Sequence, residues 1–179
     1  MNQNDVEKIL VSEEELKDIC KRLGQQISKD YAGKKLYLVS VLKGAIVFMA
    51  DLMREITCDC QIDFMAVSSY SGTKTTGVVK FKKDLDIDPD GCDILLVEDI
   101  LDSGITLSYL KKVLEDRNAA SVKICTLLDK PENRQADIKA DYTGLVIPDH
   151  FVVGYGLDCD EKYRNLPYVG VLAPHVYNG

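Results

Sequence analysis

Residues 95–116, LLVEDILDSGITLSYLKKVLED, contain a strand, a loop and a helix in direct succession. The opening apolar run is short, which is typical of a strand buried on both faces. After the loop, apolar residues recur at the spacing of a helix at Leu107, Leu110, Val113 and Leu114. The loop itself carries three acids and the small-residue segment SGIT. A strand that leads through a loop into a helix is the basic unit of an α/β protein.

Strands and helices alternate on both sides of this unit. Strands are predicted at KLYLVSVL (35–42), CQIDFMAV (60–67) and SVKICTLL (121–128), and helices at 12–27 and 45–56. The segment VVKFKKDLDI is expected to be the return arm of a hairpin, and shorter strands are predicted at GLVIP, FVVGYG and YVGVLA. This order predicts an α/β fold with a mostly parallel twisted sheet flanked by helices.

Composition and charge restrict the class of protein. A chain of 179 residues is the size of one domain. The net charge of −7 argues against a broad nucleic-acid-binding face, which needs clustered Lys and Arg. No apolar run is long enough to cross a bilayer and the N-terminus lacks a signal-peptide core, so we expect a cytoplasmic protein without a membrane partner. The six scattered cysteines are expected to be reduced thiols.

Ligands of parallel α/β sheets bind beyond the carboxyl ends of the strands. That rule selects four segments, namely Leu42–Gly44, Glu98–Thr106, Asp129–Arg134 and Gly156–Arg164. In the second segment, SGIT lies where a strand gives way to a helix, and unpaired N–H groups there attract an anion. The glycines of a Walker A or GxGxxG loop are missing. On its own, SGIT is better interpreted as a capped helix start.

The neighbouring acids make the interpretation more specific. A carboxylate beside a phosphate is unfavourable unless a hydroxyl or a cation lies between them. A ribose diol fits this need, because it can donate hydrogen bonds to Glu98 and Asp99 while its 5′-phosphate binds the loop. Carboxylates also stabilise positive charge on a sugar ring, and Asp102 is left for proton transfer. The pattern therefore predicts a sugar phosphate that becomes cationic as it reacts.

The segment VEDILDSGIT resembles the phosphoribosyl-diphosphate signature of the type I phosphoribosyltransferases. From about residue 36 onward the chain is similar to the hypoxanthine-guanine members of that family, through the motifs SVLKG, SSYSG, LLDKPENR, IPDHFVVGYGLD and EKYRNLPYVGVL. Several motifs in the right order are far more specific than one. The resemblance implies the type I fold, with a core at about 36–150 and a small hood from the N-terminal segment and about 150–179.

The resemblance implies a role for each part of the central segment. Glu98 and Asp99 are expected to bind the ribose hydroxyls, directly or through Mg²⁺. Asp102 is expected to be the general base at purine N7. The 5′-phosphate is expected to bind Ser103, Gly104, Ile105 and Thr106.

The resemblance also implies a pyrophosphate site and a metal. The pyrophosphate site is expected at Leu42, Lys43, Gly44 and Arg164. The peptide bond between the first two of these is expected to be cis. The implied cofactor is Mg²⁺, with Glu98, Asp99 and Asp158 as its ligands; Mg²⁺ favours carboxylate, phosphate and water oxygens.

The implied purine site consists of Lys130, Phe151, Val152 and Asp158. Lys130 would donate to the 6-oxo group, and an ammonium cannot accept a hydrogen bond from a 6-amino group. Phe151 would stack on the base and the Val152 backbone would meet its edge. Residues 68–77, with Ser69 and Tyr70 near the start, are expected to form a lid that excludes water.

Four of these residues have plainer interpretations when taken singly. Phe151 within FVV is more typical of a core, and Lys130 of a solvated loop charge. Arg164 could pair with a nearby acid, and Asp158 could cap a turn. Ile105 and His150 stand where some relatives carry Lys, which bears on rate and substrate preference.

The resulting hypothesis is a purine salvage enzyme. It would transfer the 5-phosphoribosyl group from phosphoribosyl diphosphate to N9 of hypoxanthine, and of guanine as a second base. The alternatives are a xanthine or adenine transferase of the same fold, an RNA-binding regulator and a sugar-phosphate sensor. Lys130 disfavours adenine, and Asp102 disfavours the last two because binding alone needs no base. The family also implies a homodimer or homotetramer.

Overall fold

The computed structural model describes residues 5–69 and 79–177. The chain forms nine strands and four α-helices within these residues, in the order β1 Val6–Val11, α1 Glu13–Asp30, β2 Leu36–Val41, α2 Ile46–Arg54, β3 Cys60–Ser69, β4 Val79–Lys83, β5 Asp93–Leu101, α3 Ile105–Asp116, β6 Ser121–Asp129, β7 Tyr142–Val146, β8 Val152–Val153, β9 Val169–Leu172 and α4 Pro174–Tyr177. None of the helices in these residues is long and apolar enough to cross a membrane.

Six strands form one sheet in the order β4-β3-β2-β5-β6-β7. All neighbouring pairs are parallel except β3 and β4, which form an antiparallel hairpin. The predicted α/β fold with a mostly parallel sheet is therefore confirmed, including the return arm of the hairpin.

The two faces of this sheet are covered by different helices. The apolar stripe of α1 and the buried side of α2 pack on one face, together with Leu95 and Val97 of β5. The stripe of α3 packs on the other face, with Ile94 and Leu96. Successive β5 residues therefore face opposite cores, and both sets are buried because the strand lies in the middle of three layers.

The chain ends form a second, three-stranded antiparallel sheet in the order β1-β9-β8. It is built from segments that the resemblance assigned to a hood, and the division of the chain into core and hood stays a prediction. The periodicity analysis did not predict β1. Its residues are mostly exposed or half-buried, so the strand exists because β9 supplies its hydrogen-bond partners.

The strand order fixes where a ligand can bind. From β2 the chain proceeds to β3 on one side, whereas β5, β6 and β7 follow one another on the other side. The sheet therefore changes winding direction between β2 and β5. In open α/β sheets the ligand crevice lies at the carboxyl ends of the two strands that flank such a switch point. Here those ends are Val41 and Leu101.

Candidate active site

The acids near residue 100 belong mostly to the strand and not to the loop that the sequence predicted. β5 runs through Glu98 and Asp99 to Leu101, and Asp102 is the first residue beyond it. A cavity of about 230 Å³ opens at this point. It is lined by Val41, Glu98, Ile100, Leu101, Asp102, Ser103, Gly104, Thr106 and Leu107.

Glu98 and Asp99 form a carboxyl pair that is poorly compensated by positive charge. Asp99 is 8% exposed, and its Oδ1 accepts the N–H of Ile100 at 2.7 Å. Burial, and then the adjacent Asp99 charge, raise the pKa of Glu98 well above its ordinary value. Burial also raises the pKa of Asp99, although hydrogen bonds and the Arg164 charge oppose the change. A ligand that brings hydroxyl donors or a cation would relieve this repulsion.

The SGIT segment forms the start of α3. Gly104 has φ +77° and precedes the first helical residue, Ile105, whose side chain is 47% exposed. A Cβ at position 104 would lie 2.6 Å from Ile138 Cγ2 and 3.0 Å from Arg134 Cδ. Glycine is required there by both the left-handed backbone and the close packing. The N–H groups of the first turn of α3 then remain available to an anion beside the cavity.

Arg134 fastens the loop after β6 to the loop after β5. Its Nε donates to the Asp102 carbonyl at 2.9 Å, and its Nη2 donates to the Leu101 carbonyl at 3.2 Å. Nη1 donates to Ile138 O at 2.9 Å, and Nη2 also pairs with Asp129. The guanidinium thus fixes the backbone that carries Asp102 and begins the SGIT segment.

The loop after β2 meets the acids of β5. The Leu42–Lys43 peptide bond is cis. A Cβ at Gly44 would collide with the Asp99 carboxylate, and a Cβ at Gly156 would collide with the Gly44 carbonyl. Three segments that are distant in sequence therefore approach one another through two glycines, which have no side chain to keep them apart.

The two predicted pyrophosphate cations are already joined by an acid. Glu161 Oε2 lies 2.9 Å from Lys43 Nζ and 3.3 Å from Arg164 Nη2. Arg164 also pairs with Asp158 at 2.8 Å and donates to the Gly156 carbonyl at 2.8 Å. The plain interpretation of Arg164, an ion pair with a nearby acid, is thus confirmed, and its pyrophosphate role stays a prediction. Both cations converge where an anion can bind.

The predicted purine residues lie on two further loops. Lys130 follows β6 and is 6% exposed, with its Nζ 3.2 Å from Asp149 Oδ1. Phe151 is 42% exposed and stacks on Tyr177, with ring centroids 4.9 Å apart and planes inclined at 13°. Tyr177 covers one face of Phe151, which leaves the opposite face for a second ring. Val152 is the first residue of β8.

Comparison with known proteins agrees with this geometry. Residues 8–160 match the family model of the phosphoribosyl transferase domain. The chain belongs to the phosphoribosyltransferase family.

Relatives within the family extend over the whole chain. Hypoxanthine-guanine phosphoribosyltransferases of Bacillus subtilis and Streptococcus thermophilus are each 54% identical to it, over 99% of this chain and 99% of theirs. The crystal structure of a hypoxanthine phosphoribosyltransferase from Staphylococcus aureus aligns with a TM-score of 0.95 at 51% identity, covering 98% of this chain and 96% of that one.

The structure of this phosphoribosyltransferase brings together most of the predicted site. Glu98 and Asp102 share one cavity with Ser103, Gly104 and Thr106, whereas the exposed Ile105 is not part of its lining. Asp99 adjoins Gly44. Asp158 is bound to Arg164. The described residues contain no group of three or more His, Cys, Asp or Glu side chains that could hold a metal ion. Of the predicted lid, Ser69 ends β3, and Tyr70 lies outside the described residues.

Sequence reasoning assigned no role to several residues of this site. Arg134 ends a segment that had been selected as ligand-facing, so a signal for it existed. Ile100 forms part of the cavity wall, but within an apolar strand nothing distinguishes it from core. Glu161 and Tyr177 gave no signal, because both act through partners distant in sequence.

Proposed function

We propose that this chain transfers the 5-phosphoribosyl group of phosphoribosyl diphosphate to N9 of hypoxanthine and guanine, releasing pyrophosphate. The observation that carries the proposal is the arrangement at the end of β5, where Glu98 and Asp102 line one cavity together with Ser103, Gly104 and Thr106. Such an arrangement suits a phosphorylated sugar whose ring becomes positive. The full-length relatives support the choice of 6-oxopurines.

In the proposed reaction, purine N9 forms a bond to C1′ of the ribose while the bond from C1′ to the pyrophosphate oxygen breaks. Asp102 accepts the proton of N7, so that the product base is neutral. Glu98 and Asp99 bind the ribose hydroxyls and stabilise the positive charge that develops on the ring. The SGIT segment holds the 5′-phosphate, and Arg134 keeps the Asp102 backbone in place.

The carboxyls of Glu98 and Asp99 fit Mg²⁺ as a pair of oxygen ligands. Glu98 and Asp99 supply two adjacent carboxyls whose pKa values are raised by burial. Asp158 is the third proposed ligand, but it is paired with Arg164 and forms no three-ligand group with them in the described residues. Two carboxylates with substrate oxygens and water are a usual environment for Mg²⁺. When bound, Mg²⁺ supplies positive charge to the departing pyrophosphate.

The loops on the far side of the cavity serve the purine in this proposal. Lys130 donates to the 6-oxo group, Phe151 stacks on the ring and the Val152 backbone meets its edge. Lys43, Gly44 and the Leu42 peptide bind pyrophosphate together with Arg164. The predicted lid, residues 68–77, lies outside the described residues from Tyr70 onward. A homodimer or homotetramer in the cytoplasm stays a prediction from the family.

Turnover measurements test the proposal directly. Purified protein is supplied with phosphoribosyl diphosphate and Mg²⁺, and with hypoxanthine, guanine, xanthine or adenine in turn. We expect nucleotide and pyrophosphate to form in equal amounts with the first two bases, and little product with adenine. Turnover of xanthine alone would move the chain to the alternative transferase. Specific, salt-sensitive RNA binding without turnover of any base would contradict the proposal.

A further inference from the structure

The ammonium of Lys130 is buried against a carboxylate from another loop. The residue is 6% exposed, and its Nζ lies 3.2 Å from Asp149 Oδ1. A buried ammonium without a partner is strongly unfavourable. Asp149, whose side chain is 57% exposed, is the acid that pairs with this ammonium. Asp149 has no role in the site described so far.

Asp149 is itself held from a third point in the chain. Asn133 Nδ2 donates to the same Oδ1 at 2.8 Å. This hydrogen bond, followed by the one from Lys130, lowers the pKa of Asp149 below its ordinary value. The carboxylate is anchored by Asn133, the last residue of the turn that runs from Pro131 to Asn133.

The pairing sets where the ammonium points. An ammonium has three N–H donors, and within the described residues Asp149 is the hydrogen-bond acceptor found for it. The Lys130 backbone is fixed as well, since its N–H donates to Leu101 O at 3.0 Å beside Asp102. Asp149 stands two residues before Phe151 in the chain. The ion pair thus ties the loop carrying the ammonium to the loop carrying the stacking ring.

We propose that Asp149, held by Asn133, is a positioning residue that determines selectivity for 6-oxopurines by fixing the Lys130 ammonium at the edge of the base site. This inference rests on the proposed function. Asp149 touches Lys130 and not the reacting atoms, so its effect must pass through Lys130. A mere structural brace between the two loops would instead affect all substrates alike.

Steady-state kinetics of Asp149→Ala and Asp149→Asn test the assignment. Loss of one charge-assisted hydrogen bond corresponds to about tenfold in affinity. We expect Asp149→Ala to raise KM for hypoxanthine and guanine by about that factor, with KM for phosphoribosyl diphosphate within roughly twofold of wild type. Asp149→Asn keeps an oxygen acceptor, so its KM for each base should lie between the values of the wild type and of Asp149→Ala. The ratio of kcat/KM for hypoxanthine over adenine should fall in the same order.

A matched control and a double variant separate positioning from stability. Asp137→Ala removes an exposed acid from the connection between β6 and β7, which also carries Lys130, and should leave base KM and selectivity unchanged. Lys130→Met keeps the apolar stem of the side chain and removes its charge. If Asp149 acts through Lys130, adding Asp149→Ala to Lys130→Met should raise base KM no further. Thermal unfolding of each variant identifies any that fail to fold.

The outcomes distinguish failure of this inference from failure of the proposed function. If the wild-type protein turns over none of the four bases, the proposed function fails. If the wild type is active but Asp149→Ala changes base KM no more than Asp137→Ala does, the inference is overturned and the function stands. Equal increases in KM for base and for phosphoribosyl diphosphate, or additive effects in the double variant, would likewise overturn it.

Discussion

Two sets of acids in the six-stranded sheet, Asp63 of β3 and the Glu98–Asp99 pair of β5, have opposite electrostatics. In β3, Asp63 is 3% exposed and accepts the N–H groups of Phe64, Asp86 and Ile87 at 2.7, 2.8 and 3.1 Å, with Lys83 Nζ 3.4 Å away. Burial alone would raise the pKa of Asp63, but these partners lower it below its ordinary value of 3.8. In β5, burial raises the pKa of both Glu98 and Asp99.

The two sets of acids differ in where their hydrogen-bond donors come from. Asp63 receives them from its own chain and joins the β3–β4 hairpin to the segment after it, so its charge is part of the fold. Glu98 and Asp99 receive far fewer, and they lie where a ligand can bring more. Carboxyls whose pKa values are raised by burial are more typical of functional sites than of structural ones. The comparison predicts that substitutions in the two sets change different measurements.

The largest expected effect is a loss of turnover on substitution of Asp102, the acid that follows the Glu98–Asp99 pair. Asp102→Asn removes the proposed base, and general-base catalysis contributes about 10²-fold or more. We expect kcat to fall by about that factor, with KM for phosphoribosyl diphosphate near wild type. The Asp102 carbonyl keeps its bond to Arg134, so thermal stability should not change. Wild-type kcat in this variant would remove Asp102 from the mechanism, and Asp137→Asn serves as the charge-matched control.

The next effect should be on stability alone. Asp63→Asn weakens several charge-assisted hydrogen bonds and should lower the free energy of unfolding by about 2 kcal/mol. Urea denaturation at pH 7 measures it. Because the folded pKa is lowered, the charge of Asp63 stabilises the fold above pH 3.8, and this contribution is lost as the pH falls through the folded value. The variant and the wild type should therefore converge in acid. If Asp63→Asn lost as much kcat as Asp102→Asn, Asp63 would not be a purely structural acid.

Substitution in the Glu98–Asp99 pair should change the free energy of unfolding in the opposite direction. Glu98→Gln removes a repulsive buried charge and should raise the free energy of unfolding by about 1 kcal/mol at pH 7–8. Because the folded pKa is raised, the ionised glutamate destabilises the fold at higher pH. The gain of the variant should disappear below the ordinary value of 4.5. A loss of stability at pH 8 would show that Glu98 is structural, as Asp63 is.

The smallest effect concerns Glu161, the exposed acid that joins the two cations proposed to bind pyrophosphate. Glu161→Gln frees Lys43 and Arg164 from a competing carboxylate. Exposed ion pairs are weak, so pyrophosphate should bind only about threefold more tightly. Isothermal titration with pyrophosphate measures the change, and Asp160→Asn in the same loop is the matched control. Weaker binding in Glu161→Gln would mean that the carboxylate supports the site and does not compete for it.

Local pattern was sufficient to predict most of the fold. Apolar runs and helical spacing identify β2, β3, β5, β6, α1, α2 and α3, because burial on a sheet or against it selects those residues one by one. The pattern misjudged the extent of β5, which continues through the acids to Leu101. Polar residues at the end of a central strand look like a loop in sequence, although their backbone still pairs with β6. The strand β1 was missed because its partner β9 lies at the other end of the chain.

The sequence by itself determined the kind of chemistry: three acids beside a small-residue helix start indicate a phosphorylated sugar that becomes cationic. The tertiary structure alone decided which donors each acid receives. It gives Asp63 its three N–H groups, Asp102 its anchor on Arg134, and Lys130 its partner Asp149. Apart from the Phe64 N–H, these contacts join residues that are distant in the chain, and the sequence does not show which carboxylates receive such donors. Charge type is a local property, whereas solvation and pairing depend on what the fold brings near.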